Sequence, residues 1–269
     1  MDFKAARIVL AGPRADRVQV QRDLVYKRAG DLSLKADLYL PAGMQTGARV
    51  PAVLLVHGDA PWEILHDAKE WGQYQSWGEL IASSGLAAIA FTHRSTERLK
   101  YLPDAVRDVV DMAAYLREHA ADLGIDEDKL GVWVCSAGGP VGLTPVLKGQ
   151  VGPVRCVAAL YALLDIGPGR MPEGLPAETV RQFSPVAALE ETQGPLPPLL
   201  LVRAGQDHPD FTQSAERFIA AALARNADVD VINYPAGYHA FDVRNDDERS
   251  RQIIRRVLTF FHEWLSPQV

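Results

Sequence analysis

Apolar residues follow two different patterns along the chain. Near the start, residues 18–29 (VQVQRDLVYKRA) and 32–42 (LSLKADLYLPA) alternate polar and apolar side chains, with Gly30-Asp31 between them. Because successive side chains of a strand point to opposite faces, this alternation predicts an antiparallel hairpin with one face in water. The next apolar runs are continuous: PAVLLVHG, GLAAIAFTHR, LGVWVCSAGG, VRCVAALYALLD and PPLLLVRAGQD. Such runs are typical of parallel strands that are covered on both faces of the sheet.

Amphipathic helical patterns separate these runs. Residues 102–120 place Val106 and Val109 on one helical face, and residues 74–85 end at Gly85, which favours a helix stop there. Two further helices are predicted at residues 210–227 and 250–265. Strands that alternate with helices predict right-handed crossovers. The fold class is therefore α/β, with a doubly wound, mostly parallel sheet and an antiparallel hairpin at its N-terminal end.

Neither a repeat nor a long linker divides the chain, so we expect one domain over residues 1–269. Residues 165–197 are rich in glycine and proline and connect two predicted strands. Because they follow the carboxyl end of a strand, where sites form, we expect a small cap-like insertion there. A plain connection is the alternative.

Composition and charge disfavour several kinds of partner. Of the 269 residues, 48% are hydrophobic, and 28 Lys and Arg stand against 34 Asp and Glu, a net charge of −6. A mildly acidic surface with scattered basic residues gives no reason to expect nucleic acid or a membrane as partner. The first residues lack the apolar stretch of a signal peptide or anchor, so we expect a cytoplasmic protein, of open oligomeric state. Neither zinc-ligand spacing nor a phosphate-binding loop is found, so we expect no metal and no nucleotide cofactor.

The candidate chemistry follows the apolar runs directly. Carboxyl ends of parallel strands meet at one edge of a sheet. In chain order those ends carry His57-Gly58-Asp59, Thr92-His93-Arg94, Ser136, Asp165 and Asp207-His208, and His239 follows the last extended run. A serine hydroxyl is a weak nucleophile unless a base takes its proton, and the base needs a carboxylate to orient it. We therefore predict a catalytic triad of Ser136, Asp207 and His239.

Four separated motifs resemble those of the α/β-hydrolase family. VCSAGG, residues 134–139, resembles the family's nucleophile elbow, G-x-S-x-G, and the order Ser, Asp, His matches the family's order. HGD at 57–59 stands where the family supplies part of its oxyanion hole. GYHAF at 237–241 resembles the histidine loop of the esterase and dienelactone-hydrolase-like branches, and LKADLYLP at 34–41 resembles their opening hairpin. The resemblance extends over nearly the whole chain.

This resemblance implies a serine hydrolase that cleaves carboxylic esters of small molecules through an acyl-enzyme, without a cofactor. The oxyanion would be held by the backbone N–H of Ala137 and by that of Asp59 or Gly58. Hydrolysis of a lactone, a thioester or a peptide end by the same fold is an alternative. A ligand-binding homologue without turnover is another.

Two features depart from the family's pattern. Val134 stands at the first glycine of the elbow motif, where a β-branched side chain requires a neighbour to move aside. The loop HGDAPW lacks the glycine run of hormone-sensitive-lipase-like esterases, and its Pro61 comes one residue later than in the HG-x-P pattern of other branches. These departures are the support for a homologue without turnover.

Other polar residues compete for places in the site. Asp210 is the reserve for the acid, Asp165 is a weaker reserve, and His208 is expected to be a solvated loop residue. Asp242 is expected to be a helix cap or a surface charge. His57 is expected to be structural and to tie the oxyanion loop through its ring nitrogens.

Four aromatic residues, Trp62, Trp71, Tyr74 and Trp77, cluster between the oxyanion loop and the next helix. Their density favours core packing, and the alternative is a wall of the substrate pocket.

The two cysteines are too few for a disulfide framework. Cys135 ends one strand and Cys156 begins the next, so we expect them near opposite edges of the sheet, beyond the reach of a disulfide. Cys135 is expected to be a small buried hydrophobe.

Overall fold

The structure is a computed structural model that describes residues 2, 4–13, 15–167 and 176–266. Within this part of the chain, eight strands form one sheet. The strands are β1 (Gln19–Ala29), β2 (Leu32–Leu40), β3 (Val50–Val56), β4 (Ala87–Phe91), β5 (Ile125–Cys135), β6 (Cys156–Leu160), β7 (Leu199–Ala204) and β8 (Val229–Tyr234). Their order in the sheet is β1-β2-β4-β3-β5-β6-β7-β8. The pairs β1/β2 and β2/β4 are antiparallel and all others are parallel, which confirms the predicted fold class.

Helices connect the strands and cover both faces of the sheet. The α-helices are α1 (Trp62–Leu65), α2 (Gly72–Ser83), α3 (Leu102–Glu118), α4 (Ala120–Leu123), α5 (Thr144–Leu147), α6 (Ala177–Arg181), α7 (Pro185–Glu191), α8 (Pro209–Ala224), α9 (Phe241–Arg244) and α10 (Glu248–Leu265). A π-helical turn, Gly139–Leu143, precedes α5. The long helices α2, α3, α8 and α10 lie where the helical patterns predict them. Gly85, two residues after α2, has a φ of +102°, which suits the end of a helix.

Alternate side chains of β5 show why the protein has two cores. Trp133 and Cys135 belong to the core beneath α2 and α10, whereas Val132 and Val134 belong to the core beneath α3 and α8. Because both faces of the sheet are buried at its centre, the strands β3, β4 and β6 are apolar throughout and do not alternate, whereas β8 at the end of the strand order carries Asp230 and Asn233. Both helical layers fix the carboxyl ends of β3, β5, β7 and β8 along one edge, and these ends position the site.

The predicted cap-like insertion at 165–197 lies partly outside the described residues, at 168–175. In the remainder, α7 packs against α5 and α8. The Asp165 carboxylate accepts hydrogen bonds from Ser184 and Arg217, each at 2.7 Å, and so joins the start of the insertion to α7 and α8. The cap and the single-domain organisation stay predictions.

The cysteines lie on the neighbouring strands β5 and β6, Cys135 at the carboxyl end of its strand and Cys156 at the amino end of its own. Gly131 of β5 pairs with Cys156 at the start of β6, four residues before Cys135. At about 3.3 Å per residue, the two cysteines are about 13 Å apart along the strands, beyond the reach of a disulfide. Both are buried and free.

Candidate active site

Ser136 follows β5 directly, at a sharp turn. Its φ of +53° lies in the left-handed region, which is costly for a residue with a β-carbon. Two glycines make this turn possible. A β-carbon at Gly138 would lie 2.6 Å from the carbonyl oxygen of His57, and one at Gly139 would lie 2.0 Å from that of Leu163. Side chains at these positions would therefore push the turn away from the end of β3 and from the loop after β6.

A third glycine accommodates Val134. The side chain of Val134 lies in the core beneath α3, where it faces Gly142 of the π-helical turn. A β-carbon at Gly142 would lie 2.8 Å from Val134 Cγ1 and 3.0 Å from the two Cγ atoms of Val56. Val134 was expected to require that a neighbouring side chain move aside. It does not, because its neighbour at position 142 is a glycine and has no side chain.

The structure brings Ser136, His239 and Asp207 together. His239 Nε2 lies 2.9 Å from Ser136 Oγ, and His239 Nδ1 lies 2.7 Å from Asp207 Oδ2. The Asp207 side chain is 3% exposed and the His239 side chain is 31% exposed. The carboxylate is thus shielded from water, whereas the imidazole is reachable. With the Nδ1–H donating to Asp207, Nε2 can accept the serine proton.

Neighbouring groups fix the ring of His239 and its carboxylate. The rings of Tyr161 and Phe211 contact the imidazole edge to face, at centroid distances of 5.0 and 4.7 Å. The second oxygen of Asp207 accepts the backbone N–H of His208 at 2.7 Å. Both ends of the imidazole–carboxylate pair are therefore held by groups outside the pair.

The reserve acids and the competing histidine have other surroundings. Asp165 is bound by Ser184 and Arg217, as described above. Asp210 lies in the first turn of α8, where its carboxylate is 3.3 Å from His208 Nδ1. The His208 side chain is 65% exposed, in keeping with a solvated loop residue. Among the three candidate carboxylates, Asp207 is the one that contacts His239.

Gly58 lies beside the serine on the loop after β3, where Asp59 follows it, and Ala137 follows the serine directly on the loop after β5. A β-carbon at Gly58 would lie 2.9 Å from Ser136 Cβ, so this close approach requires glycine. The Gly58 N–H donates to the Tyr74 hydroxyl at 3.3 Å. Within the described ranges, the N–H groups of Asp59 and Ala137 have no hydrogen-bond partner, so both are available to an oxyanion.

His57 ties the oxyanion loop as one member of a stacked pair with His93. The ring centroids are 3.6 Å apart and the planes differ by 14°. His57 Nδ1 lies 2.6 Å from the Gly58 carbonyl oxygen, and its Nε2 accepts the His93 backbone N–H at 3.2 Å. Burial lowers the pKa of both imidazoles. The pair therefore joins the ends of β3 and β4 as neutral rings.

Asp242 is completely buried, and its expected role as a cap or surface charge is wrong. Its carboxylate accepts hydrogen bonds from the Tyr161 hydroxyl at 2.9 Å, Gln73 Nε2 at 2.9 Å and Trp77 Nε1 at 2.8 Å. Ala240, with a φ of +58°, turns the chain so that α9 brings Asp242 under the His239 loop. Burial raises the pKa of this carboxyl, although its three donors oppose the rise.

Two of the four clustered aromatic residues belong to the core. Trp77 is completely buried, packs on Trp133 at a centroid distance of 5.5 Å and donates to Asp242, so a place in a pocket wall is wrong for it. Tyr74 is buried behind the oxyanion loop, where its hydroxyl accepts from Gly58. Tyr74 therefore supports the loop after β3 from its buried side.

The other two aromatic residues are half-buried. Trp71 Nε1 donates to Asp67 at 2.9 Å, and its ring lies against Tyr74. Trp62 lines a cavity of about 290 Å³. The other residues of this cavity are Leu32, Arg94, Ser95, Glu97, Tyr101 and Asp104. Since Ser136 is not among them, Trp62 borders the oxyanion loop and not the nucleophile.

A cavity of about 1070 Å³ lies at the opposite edge of the sheet, near Pro153, Pro198 and Ser266. It lies where β6 and β7 begin, whereas Ser136 and His239 follow strand ends. The contacts among Ser136, His239 and Asp207, and not the size of a cavity, therefore locate the candidate site.

The thiol beside Ser136 is not a competing nucleophile. Cys135 is buried, and its Sγ lies 3.7 Å from the Tyr74 hydroxyl. Burial raises the pKa of this thiol to about 12, which keeps it protonated near neutral pH.

Across the ranges that the structure describes, no group of three or more His, Cys, Asp or Glu side chains is arranged to hold a metal ion. The same residues include no helix with the length and apolar character needed to cross a membrane.

Comparison with known proteins adds to this geometry. The model of the BD-FAE family matches residues 36–151. A search of curated proteins gave no match. An esterase from Thermogutta terrifontis with butyrate bound has a TM-score of 0.73 at 19% identity, over 96% of this chain and 98% of its own. A truncated carbohydrate esterase from gut microbiota has a TM-score of 0.76 at 18% identity, over 96% and 100%. An esterase from Pseudomonas putida has a TM-score of 0.75 at 17% identity, over 96% and 86%. This chain therefore has the α/β-hydrolase fold that these esterases share.

Proposed function

We propose that this protein is a serine hydrolase that cleaves carboxylic esters of small molecules, with Ser136 as nucleophile, His239 as base and Asp207 as orienting acid. The observation that carries the proposal is the continuous chain of contacts from Ser136 Oγ to His239 Nε2, at 2.9 Å, and from His239 Nδ1 to Asp207 Oδ2, at 2.7 Å. The match to BD-FAE and the fold shared with esterases support an ester as the substrate.

Acylation starts at Ser136 Oγ. As this oxygen attacks the ester carbonyl carbon, its proton passes to His239 Nε2, and Asp207 stabilises the resulting imidazolium through Nδ1. The carbonyl oxygen becomes an oxyanion that accepts hydrogen bonds from the N–H groups of Ala137 and Asp59. The imidazolium then gives its proton to the alcohol oxygen as the C–O bond breaks, and the acyl group remains on the serine.

Deacylation repeats these steps with water. His239 Nε2 takes a proton from a water molecule as its oxygen attacks the acyl carbon of the Ser136 ester. The same two N–H groups hold the second oxyanion. The proton returns to Ser136 Oγ when the acyl–enzyme bond breaks, which releases the carboxylic acid and restores the enzyme.

The variant Ser136→Ala tests the proposal. It should lower kcat on p-nitrophenyl acetate by about 10⁴-fold or more, and it should abolish labelling by a fluorophosphonate probe. Ser83→Ala is a matched control, because its hydroxyl donates to the Leu80 carbonyl in α2. This control should keep both properties. A Ser136→Ala protein that is labelled as well as the wild type would overturn the assignment.

A panel of substrates decides which kind of acyl bond the protein cleaves. A lactone, a thioester, an aminoacyl amide and short p-nitrophenyl esters should be compared by kcat/KM, because pocket shape and not the triad selects among them. The two departures from the family's pattern were the support for a homologue without turnover. Gly142 accommodates Val134, which removes one of them. Binding of a small ligand with no hydrolysis across the panel would restore that alternative.

A further inference from the structure

On the oxyanion loop, residues 57–60, the backbone N–H of Asp59 is the donor proposed to bind the oxyanion. The Gly58 N–H already donates to the Tyr74 hydroxyl, on the buried side of the loop. The Asp59 N–H is without a partner among the described residues. Its direction depends on how the peptide planes around Asp59 and Ala60 are held. No α-helix or β-strand includes these residues, so other contacts must hold them.

Side chains from a neighbouring loop supply those contacts. We call residues 95–99, which follow the end of β4, the strap. The Asp59 carboxylate accepts the Thr96 backbone N–H at 2.8 Å and also the Thr96 hydroxyl. The Ser95 hydroxyl lies 2.6 Å from the Ala60 carbonyl oxygen and 3.2 Å from Asp59 Oδ1. Since this hydroxyl has one proton, the shorter contact to Ala60 takes it.

The strap is itself held in a strained conformation. Glu97, Arg98 and Leu99 have φ values of +46°, +59° and +74°, so three consecutive residues with β-carbons lie in the left-handed region. Such a run persists only where surrounding contacts fix it. Thr96 provides them: its Oγ1 accepts the Leu99 N–H at 2.9 Å, and its carbonyl oxygen accepts the Tyr101 N–H at 2.8 Å.

We infer that Thr96 and the Asp59 carboxylate are positioning residues that aim the Asp59 N–H at the oxyanion. The inference rests on the proposed function. The Thr96 hydroxyl is the central group, because it donates to Asp59 and accepts from Leu99 and so joins the oxyanion loop to the strap. The oxyanion is absent from the bound substrate and develops as the tetrahedral intermediate forms. A misdirected donor should therefore lower kcat and leave KM nearly unchanged.

The test compares two substitutions of one residue. Thr96→Val keeps the shape and removes both hydrogen bonds of the hydroxyl, whereas Thr96→Ser keeps the hydroxyl. Complete loss of an oxyanion donor lowers kcat by about 10²- to 10³-fold. A donor that is displaced and not removed should cost less, so we expect Thr96→Val to lower kcat by about 10- to 100-fold. KM should change by less than about threefold, and Thr96→Ser should restore kcat to within about threefold.

A boronic acid gives a readout that a purely structural role would not change. It adds to a catalytic serine as a tetrahedral adduct that resembles the transition state. Its inhibition constant should rise in Thr96→Val by the same factor by which kcat/KM falls. Thr192→Val is the matched control, since the Thr192 hydroxyl also contacts two backbone groups, the carbonyls of Leu147 and Ala188, away from the site. That control should leave kcat unchanged.

Several results would overturn the inference. One is a kcat of Thr96→Val within threefold of the wild-type value. Another is a loss of kcat in Thr96→Ser as large as that in Thr96→Val. A rise in KM with unchanged kcat is a third. If Thr96→Val does not fold, Asp59→Ala is judged by the same limits, because it removes the acceptors of both the Thr96 N–H and the Thr96 hydroxyl. Ser136→Ala separates the two proposals: if it stays active, the proposed function fails, and if it is inactive while kcat of the Thr96 variants is normal, only the positioning role fails.

Discussion

Replacing Asp242 by alanine should destabilise the protein strongly, although Asp242 takes no part in the proposed chemistry. The carboxylate accepts from three buried side chains, Tyr161, Gln73 and Trp77. Gln73 Nε2 keeps a second acceptor, the Tyr161 hydroxyl, at 2.7 Å. Two donors, the Tyr161 O–H and the Trp77 N–H, would therefore be left unpaired.

The magnitude follows from these two donors. An unsatisfied buried donor costs about 1–3 kcal/mol, so Asp242→Ala should lower the free energy of unfolding by about 2–6 kcal/mol. Asp242→Asn should cost less, because its amide oxygen can accept from Gln73 and Trp77. Urea unfolding followed by circular dichroism at pH 7 measures both changes.

The pH dependence of the free energy of unfolding tests the role of Asp242 in a second way. Burial raises the pKa of Asp242, so the folded protein holds this proton more tightly than the unfolded chain does. The stability that this provides is fully present below the ordinary carboxyl pKa of about 3.9 and is lost as pH rises through the raised pKa. Relative to the wild type, the deficit of Asp242→Asn should therefore shrink between pH 4 and pH 8.

Asp108 is the control with the opposite sign. Burial alone would raise the pKa of its carboxyl, but hydrogen bonds from Arg94 and Lys27 outweigh burial and hold that pKa below its usual range. The deficit of Asp108→Asn should grow as pH rises toward about 4 and stay constant above it. A deficit of Asp242→Asn that is flat or grows between pH 4 and 8 would refute the reasoning, and so would a loss below about 1 kcal/mol in Asp242→Ala.

Two more outcomes are expected. Gly142→Ala should overpack the core against Val134 and Val56 and lower the free energy of unfolding by about 1–3 kcal/mol. Val134→Ala should partly restore the stability of the Gly142→Ala protein, so a double-mutant cycle measured by urea unfolding should give a coupling energy of about 0.5 kcal/mol or more. Additive effects would mean that the two positions do not share space. Asp207→Asn should lower kcat on p-nitrophenyl esters by about 10⁴-fold and leave the free energy of unfolding unchanged. His208→Ala, which truncates an exposed side chain, should leave kcat unchanged. Full activity in Asp207→Asn would remove the acid from the proposed triad.

The sequence predicts the sheet and the meeting of three side chains because both depend on strong, repeated signals. Continuous apolar runs identify buried parallel strands, and residues after their carboxyl ends must share one edge. Ser136, Asp207 and His239 follow β5, β7 and β8, so their contact requires only that topology.

The supporting residues give weaker signals. Asp242 stands three residues after His239, and nothing in its sequence neighbours indicates that Ala240 adopts a left-handed φ and carries it into the core. Thr96 looks like any polar residue of a loop. Trp77 did have a signal, because it shares helical spacing with Tyr74 and Ile81, which are also buried on α2. The roles of Asp242 and Thr96, by contrast, become evident only when elements distant in the chain are in contact.

Backbone strain bears on the choice between an enzyme and a homologue without turnover. Among the described residues, eight non-glycine residues have a positive φ, and six of them are at or beside the candidate site: Glu97, Arg98, Leu99, Ser136, Tyr161 and Ala240. Each such residue costs on the order of 1–3 kcal/mol, which nearby contacts must offset. A pocket that only binds a ligand has no need for a strained serine turn or a strained strap beside an unpaired N–H. A preorganised oxyanion site accounts for both, because its donors must already face the position where charge develops.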